Sequence, residues 1–234
     1  MYNHFMNGNI NSSENHFHIL YKLGAIASLV LVSIIVIQFI VFIVAPPPIE
    51  GSIQDWFALF QKNNLLGLVS FELLMVIYTI LSLLVTLALS VSLWRINKSL
   101  VAIFMVLSVV GVICFVISRP AFEMLSLSNQ YNVANTETQR NSLLDAGEGL
   151  LAIFHGTAFY ISYILGSVSG IIISIVILQS KVFSKNTAYI RIASSIFDFG
   201  LFIPVIGLYI SLFSVVFLLI FNILVAKRLF KLSW

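Results

Sequence analysis

Polar positions are so sparse along this chain that they act as punctuation between apolar runs. Gly24 to Ala45 is 22 residues without a charge, enough for the roughly 20 apolar residues that one bilayer crossing needs, and Pro46, Pro47 and Pro48 end it. The run is longer than the roughly 7–15-residue core of a cleavable signal and meets prolines instead of a small-residue cleavage site, so it predicts a span. Ile53, Trp56, Phe57 and Phe60 then recur at i, i+3, i+4 and i+7, behind a Ser52/Asp55 pair that resembles a helix N-cap box. With Asp55, Gln61 and Lys62 close by and Trp56 as an anchor, this stretch predicts a short helix lying in the membrane interface.

Four more apolar runs follow. Leu65 to Trp94 is closed by Arg95 and Lys98, and Ser99 to Ser118 by Arg119 and Pro120. Leu150 to Ser180 corresponds to about 46 Å of helix, so it must tilt or project beyond the hydrocarbon. The last run, Ala188 to Ala226, carries only Arg191 and Asp198 and is about twice one crossing. Pro204 and Gly207 near its middle predict a tight reversal that divides it in two. Spans are thus expected over 24–45, 65–94, 99–118, 150–180, 187–204 and 206–226, in a single membrane domain over 21–231 behind a polar tail over 1–20.

Composition confirms the class and charge sets a direction. The chain is 60% hydrophobic and 9% charged, with a mean hydropathy of +1.06, where a soluble domain has about 25% charged residues. Six spans put Lys22, Arg95, Lys98, Lys181, Lys185, Arg191, Lys227, Arg228 and Lys231 on one side and only Lys62, Arg119 and Arg140 on the other. This is a positive-inside bias that places both termini in the cytoplasm. The net charge of +3 is therefore read as orientation and not as a nucleic-acid footprint. The expected fold is an all-α integral membrane bundle of six transmembrane helices in the cell membrane, with the interfacial helix and a partly helical loop over 119–149 facing outward.

Ionisable groups inside a bilayer cost about 2.5–3.5 kcal/mol each at the helix centre, so Glu72, His155 and Asp198 need an explanation. Glu148 and His155 are seven apart and share a helix face, which Ser162 and Ser169 continue. Arg119, Glu123, Arg140 and Asp145 flank that stripe from the outer loop. The sharp expectation is an outward-facing polar pocket lined by Glu72, Arg119, Glu148, His155 and Asp198. The plainer one is that Arg119 with an acid, or His155 with Asp198 or Glu72, is a buried pair that fixes helix packing.

Ser162, Gly166, Gly170 and Ser174 repeat small residues every fourth position, a spacing that lets helices approach closely within one chain or across a dimer. His4, His16 and His18 in the tail read as mobile polar residues and not as a metal site, with no cysteine near them. Cys114, the one cysteine, reads as a small core residue. His155 is the only histidine of the membrane core, too few for a zinc hydrolase. Gly166-Ser167-Val168-Ser169-Gly170 lacks the Gly-x-Ser-x-Gly spacing of a nucleophile elbow. No phosphate-binding loop or haem-attachment pair is present, so neither a cofactor nor an enzymatic activity is expected.

The outer loop carries the most distinctive text: Leu127-Ser128-Asn129-Gln130-Tyr131, then Ala134, Thr136, Gln139-Arg140 and Ala146-Gly147-Glu148-x-Leu150-Leu151-Ala152. Asp55-Trp56-Phe57, Ser180-x-Val182-Phe183-Ser184 and Pro204-x-x-Gly207 accompany it. Together these resemble the bacterial multi-pass membrane family described as domain of unknown function 4386, over about residues 20 to 231. The resemblance implies a six-span bacterial membrane protein, marks Ser128, Gln130, Tyr131 and Arg140 as its loop motif, and supplies no activity. The expected function is a membrane module that binds or senses a small amphiphile or lipid. A small secondary transporter and a structural partner subunit are the alternatives.

Overall fold

The computed structural model describes residues 17–49 and 51–234. His4 and His16 lie outside them. Among the described residues the chain is helical throughout, with no strand. Helix α1 is His18–Val44, α2 Ile53–Lys62, α3 Asn64–Ser70, α4 Leu73–Leu93, α5 Lys98–Ile117, α6 Ala121–Val133, α7 Glu137–Phe154 and α8 Thr157–Gln179; α9, Lys185–Phe199, continues into a 3-10 turn, Gly200–Phe202, before α10, Gly207–Leu232.

Five helical tracts are long and apolar enough to cross a membrane: His18–Val44, Leu73–Leu93, Lys98–Val133, Glu137–Gln179 and Tyr209–Leu232. The expected span over 187–204 corresponds to α9 and its 3-10 extension, a shorter element than these five. The reversal expected near Pro204 and Gly207 is present. Val205 takes φ 70°, and a Cβ at Gly207 would lie 2.7 Å from the carbonyl oxygens of Gly200 and Leu201, so α10 starts as close to the 3-10 turn as only glycine allows.

The chain divides into two compact units. The first comprises residues up to 32, 81–109 and 165–234. In it α1 meets α4 and α10 so closely that a Cβ at Gly24 would lie 2.6 Å from the Ala88 side chain and 3.2 Å from that of Leu229. The ring of His18 hydrogen-bonds the carbonyl of Ser233 at 3.1 Å, which brings the start of α1 and the end of α10 together. Gly170 on α8 would strike Ser195 and Arg191 of α9 if it carried a Cβ, at 2.5 and 2.7 Å. The small-residue stripe therefore serves packing within the chain at Gly170, while the same position at Gly166 faces open space.

The second unit comprises 33–80 and 110–164 and holds an aromatic core of Ile53, Trp56, Phe57, Phe60, Phe71, Ala121, Met124 and Phe154. Here the expectation that Trp56 anchors α2 in lipid is corrected. The capping box of α2 is as read, with Ser52 and Asp55 bonding reciprocally, but the apolar face behind it turns to protein: Trp56 is 1% exposed and Phe57 and Phe60 are fully covered. The outer loop, expected to be partly helical, is helical over most of its length. It is the hairpin α6–α7, whose two helices continue the tracts on either side of it and give Ile53, Trp56, Phe57 and Phe60 something to pack against.

The nine basic residues assigned to one side by the six-span reading all fall in the first unit, where the only described acid is Asp198. Lys62, Arg119 and Arg140 fall in the second, with Asp55, Glu72, Glu123, Glu137, Asp145 and Glu148.

Candidate functional site

Three helical tracts of the second unit are interrupted around one guanidinium. The first break is between α3 and α4. Phe71 closes α3 by donating its N–H to Gly67, and Glu72 follows in the left-handed region at φ 62°, the geometry that ends many helices but usually with glycine. The Glu72 N–H donates to Val69, and the Glu72 carbonyl accepts from Met75 and Val76. One residue thus ends α3 and starts α4, at a conformational cost of about 1–3 kcal/mol for a non-glycine residue.

The second break is at Ser118-Arg119-Pro120. Proline cannot continue α5, because it has no N–H to donate and its ring clashes with the preceding turn. The third is at His155-Gly156, between α7 and α8. A Cβ at Gly156 would lie 2.7 Å from the Ala152 carbonyl oxygen, so the chain turns there on a glycine.

Arg119 occupies the junction, its side chain 1% exposed. Nε donates to Glu72 Oε2 at 2.6 Å. Nη1 donates to the Ser118 carbonyl at 3.2 Å, to Ser118 Oγ at 2.9 Å and to the Phe154 carbonyl at 3.0 Å. Two of these acceptors are carbonyls left at the ends of α5 and α7, where a cation is favoured by the helix dipole as well as by the hydrogen bond. Phe115, Phe154 and Phe159 complete the enclosure, with Cζ 4.5, 4.2 and 4.5 Å from their ring centroids, within cation–π range. A single side chain therefore satisfies backbone at two breaks and holds the carboxylate of the residue that forms the third.

His155, the C-cap of α7, stands edge-on to Phe154 with ring centroids 4.9 Å apart. It feels the charges of both Arg119 and Glu72. His155 is exposed and the Glu72 side chain is 24% exposed, so these two form the accessible edge of a site whose cation is buried. Nearby, Trp56 Nε1 and Ser70 Oγ are buried without a hydrogen-bond partner. The Trp56 and Phe71 rings are 5.0 Å apart, which sets the indole against the Phe71–Glu72 break.

Of the five residues expected to line one pocket, Glu72, Arg119 and His155 come together. Glu148 is exposed on α7 and is not a partner of Arg119. Its predicted stripe fails because the helix ends at Phe154: Ser162 and Ser169 belong to α8, and their hydroxyls bond Phe159 and Gly166 of their own helix. Asp198 belongs to the first unit, where it hydrogen-bonds Ser214 and lies in the field of Arg191. Arg191 in turn donates to Ser194 and to the Gly166 carbonyl, each at 3.3 Å.

The loop motif has structural work. Ser128 donates to the Phe57 carbonyl at 3.0 Å, Tyr131 packs on the Phe57 ring at 5.3 Å, and Arg140 lies over Tyr131 and donates to the Ala134 carbonyl at 3.3 Å. These three tie the hairpin to itself and to α2. Gln130 is exposed and bonds only Ser126.

What the sequence reading missed is the cage and the breaks. Pro120 reads as a stop, but Gly156 lies inside the single span expected over 150–180, and nothing in Ser70-Phe71-Glu72-Leu73 announces a left-handed residue. Comparison of the chain with known protein families, with curated proteins and with solved structures finds no match.

Proposed function

We propose that the chain is a six-span membrane protein with cytoplasmic termini, in which the Glu72–Arg119–His155 site faces outward and binds the polar head of a small amphiphile or lipid. The observation that carries this reading is the convergence of three interrupted helices on one buried, paired guanidinium. Irregular backbone at membrane depth occurs where it is covered by protein or lines a polar site. Structural breaks alone need no strained acid with an accessible carboxylate and no exposed imidazole beside it.

Glu72 Oε2 is occupied by Arg119, and the partly exposed remainder of the carboxylate, with His155, offers acceptors to a head group that carries hydroxyl or ammonium donors. The apolar tail would stay in the bilayer. The sorting of basic and acidic residues between the two units supports the orientation by the positive-inside rule. The text of the α6–α7 hairpin supports membership of the uncharacterised family it resembles.

The test is a thermal-unfolding series on the purified chain in detergent, against amphiphiles with hydroxyl, ammonium and phosphate heads, comparing the native chain with His155→Phe. The reading expects a ligand-dependent rise in melting temperature that His155→Phe removes while the ligand-free melt stays in place. A fall in the ligand-free melt with the ligand response intact would assign the cluster to packing alone.

The discontinuous helices also favour a second reading, secondary transport, since transporters place substrate at such interruptions. It predicts proton- or sodium-coupled flux into vesicles that His155→Phe abolishes at unchanged protein level.

A further inference from the structure

The first unit ends in a concentrated positive surface that the site above does not use. Contacts between elements define this end: His18 bonds Ser233, Gly24 sits against Ala88 and Leu229, and Arg228 Nε donates to the Val182 carbonyl. The beginning of α1, the end of α4, the α8–α9 connection and the last turns of α10 therefore lie together.

Each of them brings cations. Lys22 is on α1, Arg95 and Lys98 are at the α4–α5 turn, Lys181 and Lys185 flank the α8–α9 connection, and Lys227 and Lys231 are on α10; all seven are exposed. Among the described residues of the unit, no acid lies near these cations in sequence. Its single described acid, Asp198, is at the far end of α9 from Lys185, about 20 Å along the helix.

Two further features identify what the surface meets. Trp94 next to Arg95 and Trp234 beyond Lys231 are 40% and 92% exposed, and Tyr189 on α9 is 58% exposed. Exposed tryptophan and tyrosine at the end of apolar helices sit at headgroup level, where the ring has both an apolar and a polar neighbour. Cations in the same belt then lie at the depth of lipid phosphates, where each contributes about 1 kcal/mol of attraction to an anionic leaflet. A soluble acidic protein or a nucleic acid would need these lysines to project clear of the headgroups, and the tryptophans among them oppose that.

We propose that this end of the protein is an anionic-lipid binding surface, selective for phosphatidylglycerol-type head groups over zwitterionic ones, and that it holds the chain in an anionic leaflet. The inference does not depend on the ligand of the Glu72–Arg119–His155 site. The purified full-length chain in dodecyl maltoside would be mixed with phosphatidylglycerol, phosphatidylcholine or inorganic phosphate, and retained lipid counted by native mass spectrometry beside a thermal-shift assay.

Phosphatidylglycerol is expected to be retained in preference and to raise the melting temperature. Lys227→Gln with Lys231→Gln should weaken that retention by about fivefold per lysine, the factor corresponding to about 1 kcal/mol each, while Lys62→Gln in the second unit leaves it unchanged. Lys181→Gln with Lys185→Gln serves if the first pair folds poorly, and is expected to weaken retention likewise. Equal retention of phosphatidylcholine, an equal effect of Lys62→Gln, or a thermal shift reproduced by inorganic phosphate alone would overturn the proposal.

Discussion

Arg119 is the residue on which the second unit turns. Its guanidinium is 1% exposed, and a buried cation left without its counter-charge costs about 3–5 kcal/mol, while exchanging both partners for apolar groups of similar shape costs little. Glu72→Ala is therefore expected to lose about 3–5 kcal/mol in reversible unfolding from detergent. Glu72→Gln with Arg119→Met should lose less than the sum of the two single changes. A fully additive double mutant would mean that the 2.6 Å contact carries no coupling.

Asp55 illustrates an opposite environment. It is exposed, and hydrogen bonds from the Ser52 hydroxyl and N–H, both at 2.8 Å, hold its carboxyl below the ordinary value. A lowered folded pKa means that its contribution is complete above the unfolded value of about 3.9 and is lost as pH falls through the folded one. In an NMR titration, Ser52→Ala should move the Asp55 midpoint upward; an unmoved midpoint would show that the cap does not form.

At the scale of elements, glycines mark where helices touch. A Cβ at Gly170 would meet Arg191 and Ser195, and one at Gly147 would lie 2.6 Å from Ile53. Overpacking of this kind costs about 1–3 kcal/mol, so Gly147→Val and Gly170→Val should each lower the melting temperature. Gly166→Ala, with open space at that position, should be neutral or slightly stabilising. Equal effects of Gly166→Ala and Gly170→Val would refute the packing assigned to α8 and α9.

The same scale shows what the sequence could convey. Apolar runs of span length and the i, i+3, i+4, i+7 face of α2 were legible because each pattern has one physical cause. Whether lipid or protein covers an apolar face was not, since both demand the same residues: Trp56 looked like an interfacial anchor and is a core residue. The extent of helix in the α6–α7 hairpin, expected only as a partly helical loop, was not legible because polar helices give little hydropathy signal, and the Phe71–Glu72 break escaped because its left-handed turn uses no glycine.

The molecule as a whole sorts its charge by unit, with nine cations and one described acid in one and three cations and six described acids in the other. The proposed six-span reading expects both termini and the α8–α9 connection in the cytoplasm, and the α6–α7 hairpin outside. Reporter fusions after Trp234 and at Ser180 should then be active only in the cytoplasm, and one at Asn135 only beyond the membrane. A reporter after Trp234 active outside would require five crossings, with α9 lying along the membrane.

The hairpin also offers a practical handle. Its arms, α6 and α7, have 13 and 18 residues, about 20 and 27 Å of helix, and Ser128, Tyr131 and Arg140 brace them against α2 and each other. Between them lie only Ala134, Asn135 and Thr136. A small folded marker grafted into that turn would inherit the orientation of a braced support and not that of a tether. For a 26.1 kDa chain made of little besides helices, such a graft would supply an asymmetric landmark for aligning single-particle images.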